Sequence, residues 1–152
     1  MKRLTSLLLF ALLPWMGCKE ENQIYKNIID DFPQGEWLPD RTLSFEFEVD
    51  NAETAYNCFI LLRHAYGFRE TTIPLDGLLI TPSGEEQPFS TVVAVREGEE
   101  YLSSCMGDLC DLEMILTNLS PVEQGTYKIS LSQERQLAGI LSIGLRVETK
   151  EN

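Results

Sequence analysis

Between residues 42 and 49 the chain alternates strictly: Leu43, Phe45, Phe47 and Val49 are apolar, and Ser44, Glu46 and Glu48 between them are polar. Successive side chains of a strand point to opposite faces, so a period of two predicts a strand with one dry and one wet face. The period returns at residues 140–148, where Leu141, Ile143, Leu145 and Val147 oppose Ser142, Gly144, Arg146 and Glu148. Residues 55–63 are apolar on both parities (Tyr56, Cys58, Ile60 and Leu62; Phe59 and Leu61), the pattern of a mid-sheet strand covered on both faces. Further candidate strands at 66–73, 78–81, 91–96, 111–117 and 125–133 are separated by Gly, Pro, Asn and Asp, with Pro82-Ser83-Gly84 as one turn. Roughly seven to eight short strands, with no long helical period and no repeat, predict an all-β fold: an antiparallel β-sandwich, immunoglobulin-like or jelly-roll-like. Leu119-Ser120-Pro121 ahead of Gly125-Thr126-Tyr127 resembles the corner of many sandwiches in which a Tyr hydroxyl bonds back to the preceding backbone. Tyr127 as a plain core aromatic is the other reading.

The first residues belong to a different program. Lys2 and Arg3 are followed by ten apolar residues from Leu7 to Met16, then Gly17 and Cys18. A stable membrane span needs about 20 apolar residues, so this run is a secretory signal and not a transmembrane helix. Gly17-Cys18 resembles the lipobox of bacterial lipoproteins, in which the Cys thiol receives diacylglycerol and becomes the new N-terminus. The resulting division is a signal peptide over 1–17, a lipid-anchored Cys18 with a tether over 18–40, and a sandwich domain over 41–152. The tether, with Pro33, Gly35 and Pro39, is expected to dock in part on the domain, with any helical turn confined to the stretch before Pro33. Lys19-Glu20-Glu21 resembles the signal that sends Bacteroidetes lipoproteins to the outer face of the outer membrane; a solvated tether is the equal alternative. The expected location is the cell envelope, on an outer membrane, with the leaflet open between periplasmic and surface-exposed.

Charge narrows the partners. The signal holds two of the 12 basic residues and none of the 24 acidic ones, leaving 10 against 24 and a net charge of −14. Such a surface repels nucleic acid and offers no basic patch to anionic lipid. Among the remaining cysteines, Cys105 and Cys110 flank Gly107, which permits the tight reversal of a short disulfide in an oxidising compartment. Cys58, in register with Ile60 and Leu62, reads as a small buried hydrophobe. A zinc site from these three and His64 lacks the usual paired spacing.

No residue set is assigned to catalysis. His64, the single histidine, lies in no nucleophile motif, and pairs among 24 acids arise by chance. Asp108, Asp111 and Glu113 do not match the twelve-residue calcium loop, so no metal and no cofactor is expected. Function through contact with another protein is the remaining route, with Trp37, Phe89 and Tyr101 as candidate exposed aromatics or as covers of the core.

Several stretches together resemble the gliding-motility lipoprotein GldH family of Bacteroidetes. They are Gly17-Cys18, Trp37 before Phe45 and Phe47, Tyr56 ahead of Leu62-Arg63-His64 and Tyr66, and Gly125-Thr126-Tyr127. The most specific are residues 132–140 and 142–148. The resemblance implies a non-enzymatic accessory lipoprotein of the gliding apparatus, linked to type IX secretion, with envelope proteins of that machinery as partners. A surface-exposed carbohydrate-binding or adhesion lipoprotein is the alternative, for which Trp37 is the strongest stacking platform. Arg135 and Arg146, placed on adjacent strands of one hairpin with Gly139 at its turn, are candidate docking cations or ion-pair anchors for acids such as Glu134 or Glu148.

Overall fold

The computed structural model describes residues 22–150, so the signal peptide, Cys18 and the Lys19-Glu20-Glu21 stretch lie outside the described residues. The strands are β1 (Gln23–Ile29), β2 (Glu36–Trp37), β3 (Leu43–Val49), β4 (Tyr56–Ala65), β5 (Thr72–Ile80) and β6 (Glu86–Ala94). They continue with β7 (Arg96–Glu97), β8 (Glu100–Tyr101), β9 (Ser104–Met106), β10 (Leu109–Leu119), β11 (Gly125–Ser132), β12 (Leu137–Ala138) and β13 (Ile140–Thr149). Every pairing is antiparallel. One sheet runs β1-β13-β4-β10-β9 and the other β3-β11-β5-β6, with small ribbons β2-β12 and β7-β8. This is the expected β-sandwich, carried by eight strands of seven residues or more among the described residues.

The alternating positions meet between the sheets. Leu43, Phe45, Phe47 and Val49 of β3 are all buried, as are Ile143, Leu145 and Val147 of β13 and Tyr127, Ile129 and Leu131 of β11. Phe47 stacks on Tyr127 at 6.2 Å. Tyr127 also makes the corner foreseen for it, its hydroxyl donating to the Glu123 carbonyl at 2.9 Å. Tyr127→Phe keeps the ring and removes that bond, and is expected to cost about 0.5–1.5 kcal/mol in urea denaturation with an unchanged m value.

Two stretches differ from expectation. Residues 23–29, expected within the tether, form edge strand β1, paired along β13 from Gln23↔Glu148 to Ile29↔Ile143. Tyr25 packs inward on Phe47 at 5.6 Å, so alternation puts Ile24 and Ile28 on the outer side, with a register shift between Gln23 and Tyr25. Folded structure therefore begins well before residue 41, and the turn near Pro33 is a 3-10 turn at Pro33–Gly35 instead of a helix before it. The strand expected at 66–73 is replaced by turns up to residue 71, and β5 then runs through Pro74. Pro74 pairs with Val92 of β6, while β11 reaches β5 only from Asp76 to Ile80, so the missing N–H falls where no second partner strand needs it.

β4 is central, as expected, but it is not covered by a layer on both sides. Its even-numbered residues from Tyr56 to His64 are buried, whereas Phe59 and Leu61 are only half-buried on the outer face.

Candidate functional site

The two outer faces of the sandwich are chemically unlike. On the four-stranded sheet, hydroxyls and charges satisfy one another beside an exposed Val92: Ser44 with Ser130 at 3.0 Å, Ser90 with Asp76 at 2.8 Å, Thr126 with Glu48, and Lys128 with Glu46 at 3.9 Å. The outer face of the five-stranded sheet instead carries an apolar floor between charged walls. Ile28 of β1, Phe59 and Leu61 of β4 and Ile115 of β10 lie on it, with Ile28 49% and Ile115 48% exposed.

Gly144 of β13 sits between Ile28 and Leu61 in register. A Cβ there would stand 2.9 Å from the Asn27 carbonyl oxygen and 3.0 Å from Ile28 Cγ1, so only glycine lets β1 close on β13 at this point. The result is a groove of about 560 Å³ whose lining includes Lys26, Ile28, Leu61, Arg63, Asp111 and Glu113.

The walls are ion pairs. Arg146 lies 4.2 Å over the Phe59 ring and holds Glu113 in a bidentate contact and Glu148 by its other nitrogen. Burial opposes its charge, but hydrogen bonds and attraction from Glu113 and Glu148 outweigh that penalty and raise the guanidinium above its ordinary value. Arg63 donates to both oxygens of Asp111, at 2.6 and 3.0 Å. These bonds are the main reason the Asp111 carboxyl sits below its ordinary value. A carboxyl depressed by folding stabilises the native state above its unfolded value, and that contribution disappears as pH falls through the folded one. Asp111→Asn is therefore expected to melt slightly below the native protein at neutral pH and to converge with it in acid, as pH falls through the lowered folded-state value of Asp111. Because the pair is half exposed, the difference is small.

Arg135 is elsewhere. It lies in the connection before β12 and binds Glu70 at 2.8 Å and the Thr72 carbonyl at 3.0 Å, at the start of β5. It does not share a hairpin with Arg146, because β12 pairs with β2 whereas β13 pairs with β1 and β4. Gly139, with φ +92°, turns the chain out of one sheet into another. Glu134 is not the acid that meets either cation; Glu70, Glu113 and Glu148 are.

The remaining candidates are structural in their surroundings. Cys105 and Cys110 form a disulfide across the β9-β10 hairpin, where they are direct register partners. Cys58 is fully buried, and burial pushes its thiol up to about 12. Two of the three sulfurs considered for zinc are thus joined to each other. Of the acids considered for calcium, Asp111 and Glu113 are bound by Arg63 and Arg146. His64 is fully buried, with Nε2 2.7 Å from Ser103 Oγ and Nδ1 3.0 Å from the Ala65 carbonyl, and its ring is flanked by Phe68 and Tyr101. A serine does stand beside the histidine, but the ring is enclosed and both nitrogens are engaged.

None of the three candidate aromatics offers a stacking platform. Trp37 is fully buried, Tyr101 is half-buried with its hydroxyl between Gly67 N–H and the Phe68 carbonyl, and Phe89 packs over Gly77. Ile28, Leu61 and Gly144 are the groove residues that pattern reading missed. Their only signal was an apolar set on the second parity of β4, facing a glycine in β13.

These features define an antiparallel β-sandwich whose five-stranded sheet carries a grooved, amphipathic outer face. The model of the GldH lipoprotein family matches residues 23–147, from the start of β1 to Val147 of β13. The chain belongs to the GldH lipoprotein family, and as a lipoprotein it is a membrane-anchored protein of the cell envelope. None of the curated proteins matches its sequence.

Proposed function

We propose that this protein is an accessory lipoprotein of the gliding-motility apparatus, linked to type IX secretion. It is anchored through Cys18 to the outer membrane and works by protein contacts without catalysis. Family membership supports the setting. The observation that carries the mode of action is the groove on the five-stranded sheet, an apolar floor of Ile28 and Leu61 between charged walls. An amphipathic depression of this kind suits a protein partner that buries apolar side chains while its polar rim meets Arg63, Asp111 and Lys26. Arg146 stiffens the face through its two glutamates and serves docking by shaping the surface. The buried Trp37 takes away the platform on which a glycan-binding alternative depended.

Crosslinking pull-downs of the lipidated protein from envelope fractions test this reading. The native protein is expected to recover motility or secretion components, and a folded, still anchored Leu61→Glu variant to lose them. Equal recovery by both would remove the groove from the account. A native protein that is a clean monomer and binds glycans would sink the reading itself.

A further inference from the structure

Because β1 begins at Gln23, the link from Cys18 to the folded domain is short. An extended chain spans at most about 3.6 Å per residue, so the four steps from Cys18 to Asn22 reach no more than about 14 Å. The end of the sandwich where β1 starts is well defined. The Asn22 carbonyl accepts from Thr149 N–H and the Ala55 carbonyl from Lys150 N–H, at 2.9 and 2.8 Å, and Leu119 pairs with Tyr56. Gly125 pairs with Val49, while Glu123 takes the N–H and hydroxyl of Ser83. Residues 50–55, 120–124 and 81–85 therefore crown one end. The opposite end holds the β9-β10 hairpin, since Leu109 pairs with Ala65 at the far end of β4. Nine steps of strand at roughly 3.3 Å separate Tyr56 from Ala65, about 30 Å, twice the reach of the link.

We propose that the sandwich stands end-on on its membrane. The connections at residues 50–55 and 120–124 rest against the lipid headgroups, Val122 enters the interface, and the disulfide hairpin points away. Val122, 78% exposed, is the large apolar side chain that this end presents in its connections. The acids at the same end, Asp50, Glu53, Glu85 and Glu123, give no attraction to lipid, so the posture rests on the short link, which keeps this end near the membrane, and on Val122, and not on charge. End-on standing also leaves the grooved sheet face open to a neighbour in the same membrane. The inference rests on Cys18 being the lipidated residue.

Thiol labelling tests it cleanly, because Cys105 and Cys110 are paired and Cys58 is buried and protonated. Single cysteines replace Val122 (Val122→Cys), Asp108 at the hairpin tip (Asp108→Cys) and Arg63 on the sheet face (Arg63→Cys). Each lipidated variant carries a fluorophore and is reconstituted into phosphatidylcholine vesicles containing a headgroup-linked quencher. The expected result is at least twofold quenching at 122, with little at 108 or 63. A 20-residue Gly/Ser insertion before Asn22, with a root-mean-square span of about 25 Å, should reduce quenching at 122 to the level at 108. Quenching at 63 equal to that at 122, or no effect of the insertion, overturns the inference while leaving the anchor intact. Failure of the vesicles to retain the protein overturns the anchor at Cys18, and this inference with it.

Discussion

Trp37→Ala is expected to lower the folding free energy by about 3–5 kcal/mol, the usual cost of emptying a buried aromatic site. The indole is fully buried, it meets the edge of Phe32 at 6.4 Å, and its Nε1 donates to the Arg41 carbonyl at 2.8 Å. Its backbone is held as well, because the carbonyl accepts from Gln133 Nε2 at 3.1 Å and the residue pairs with Leu137 of β12. Removing the ring opens a cavity and strands the Arg41 carbonyl at once. Single domains commonly hold about 5–15 kcal/mol, so the variant should unfold at a much lower urea concentration. Far-UV circular dichroism is the appropriate probe, since the variant lacks the tryptophan of the folded region. A loss below about 1 kcal/mol would mean that the β2-β12 ribbon unfolds independently of the two main sheets.

Gly144→Val is expected to combine a stability loss of about 1–3 kcal/mol with a filled groove. The new Cβ would press on the Asn27 carbonyl, which is backbone and cannot swing aside, and on Ile28 and Leu61 on either hand. The edge strand β1 should therefore separate from β13 first. Hydrogen exchange checks this: amides of residues 23–29 should lose protection, while those of β11 and β4 keep theirs. Uniform protection across both sheets would show that β1 tolerates the side chain and that glycine at 144 is not what closes the sheet.

The parts of this fold that were legible in the sequence are those where one face is dry and the other wet. β3 and β11 show clean alternation because each buries one side, and Tyr127 announced its corner through the residues around it. β13 keeps its apolar row at Ile143, Leu145 and Val147, but Gly144 and Arg146 between them are buried too, and a register shift between Ile140 and Ser142 takes Leu141 out of that row. β1 was hidden because its apolar residues fall on both parities, Tyr25 and Ile29 facing the core and Ile24 and Ile28 facing out, and because an edge strand is wetted along one side. The first half of β5 was hidden by Pro74, which forbids a central strand and permits a singly paired one. The candidate site was the least legible part. Phe59 and Leu61 read as residues beneath a second covering layer; the cover is instead Arg146 over Phe59, and open groove beside Leu61. A glycine that makes room leaves no hydrophobic signal of its own, so Gly144 is visible only once β1 and β4 are placed beside it. Ion-pair partners were equally unreadable, since Arg135 finds Glu70 across 65 residues of chain and Arg146 finds Glu113 across 33.

The disulfide marks the limit of what spacing alone can tell. Five residues of separation with a glycine between them correctly indicated Cys105 and Cys110, and the register shows why: the two are opposed on neighbouring strands, so the bridge staples a turn at Gly107 whose φ is +61°. It secures the end of the sandwich where β9 and β10 meet.

Fractionation of a Cys18→Ser variant tests the anchored state on which the proposed function depends. The account predicts that the native protein sediments with membranes and resists high salt, while the variant, with its sandwich intact, is recovered in the soluble fraction. Persistent retention of Cys18→Ser in the membrane fraction would contradict it.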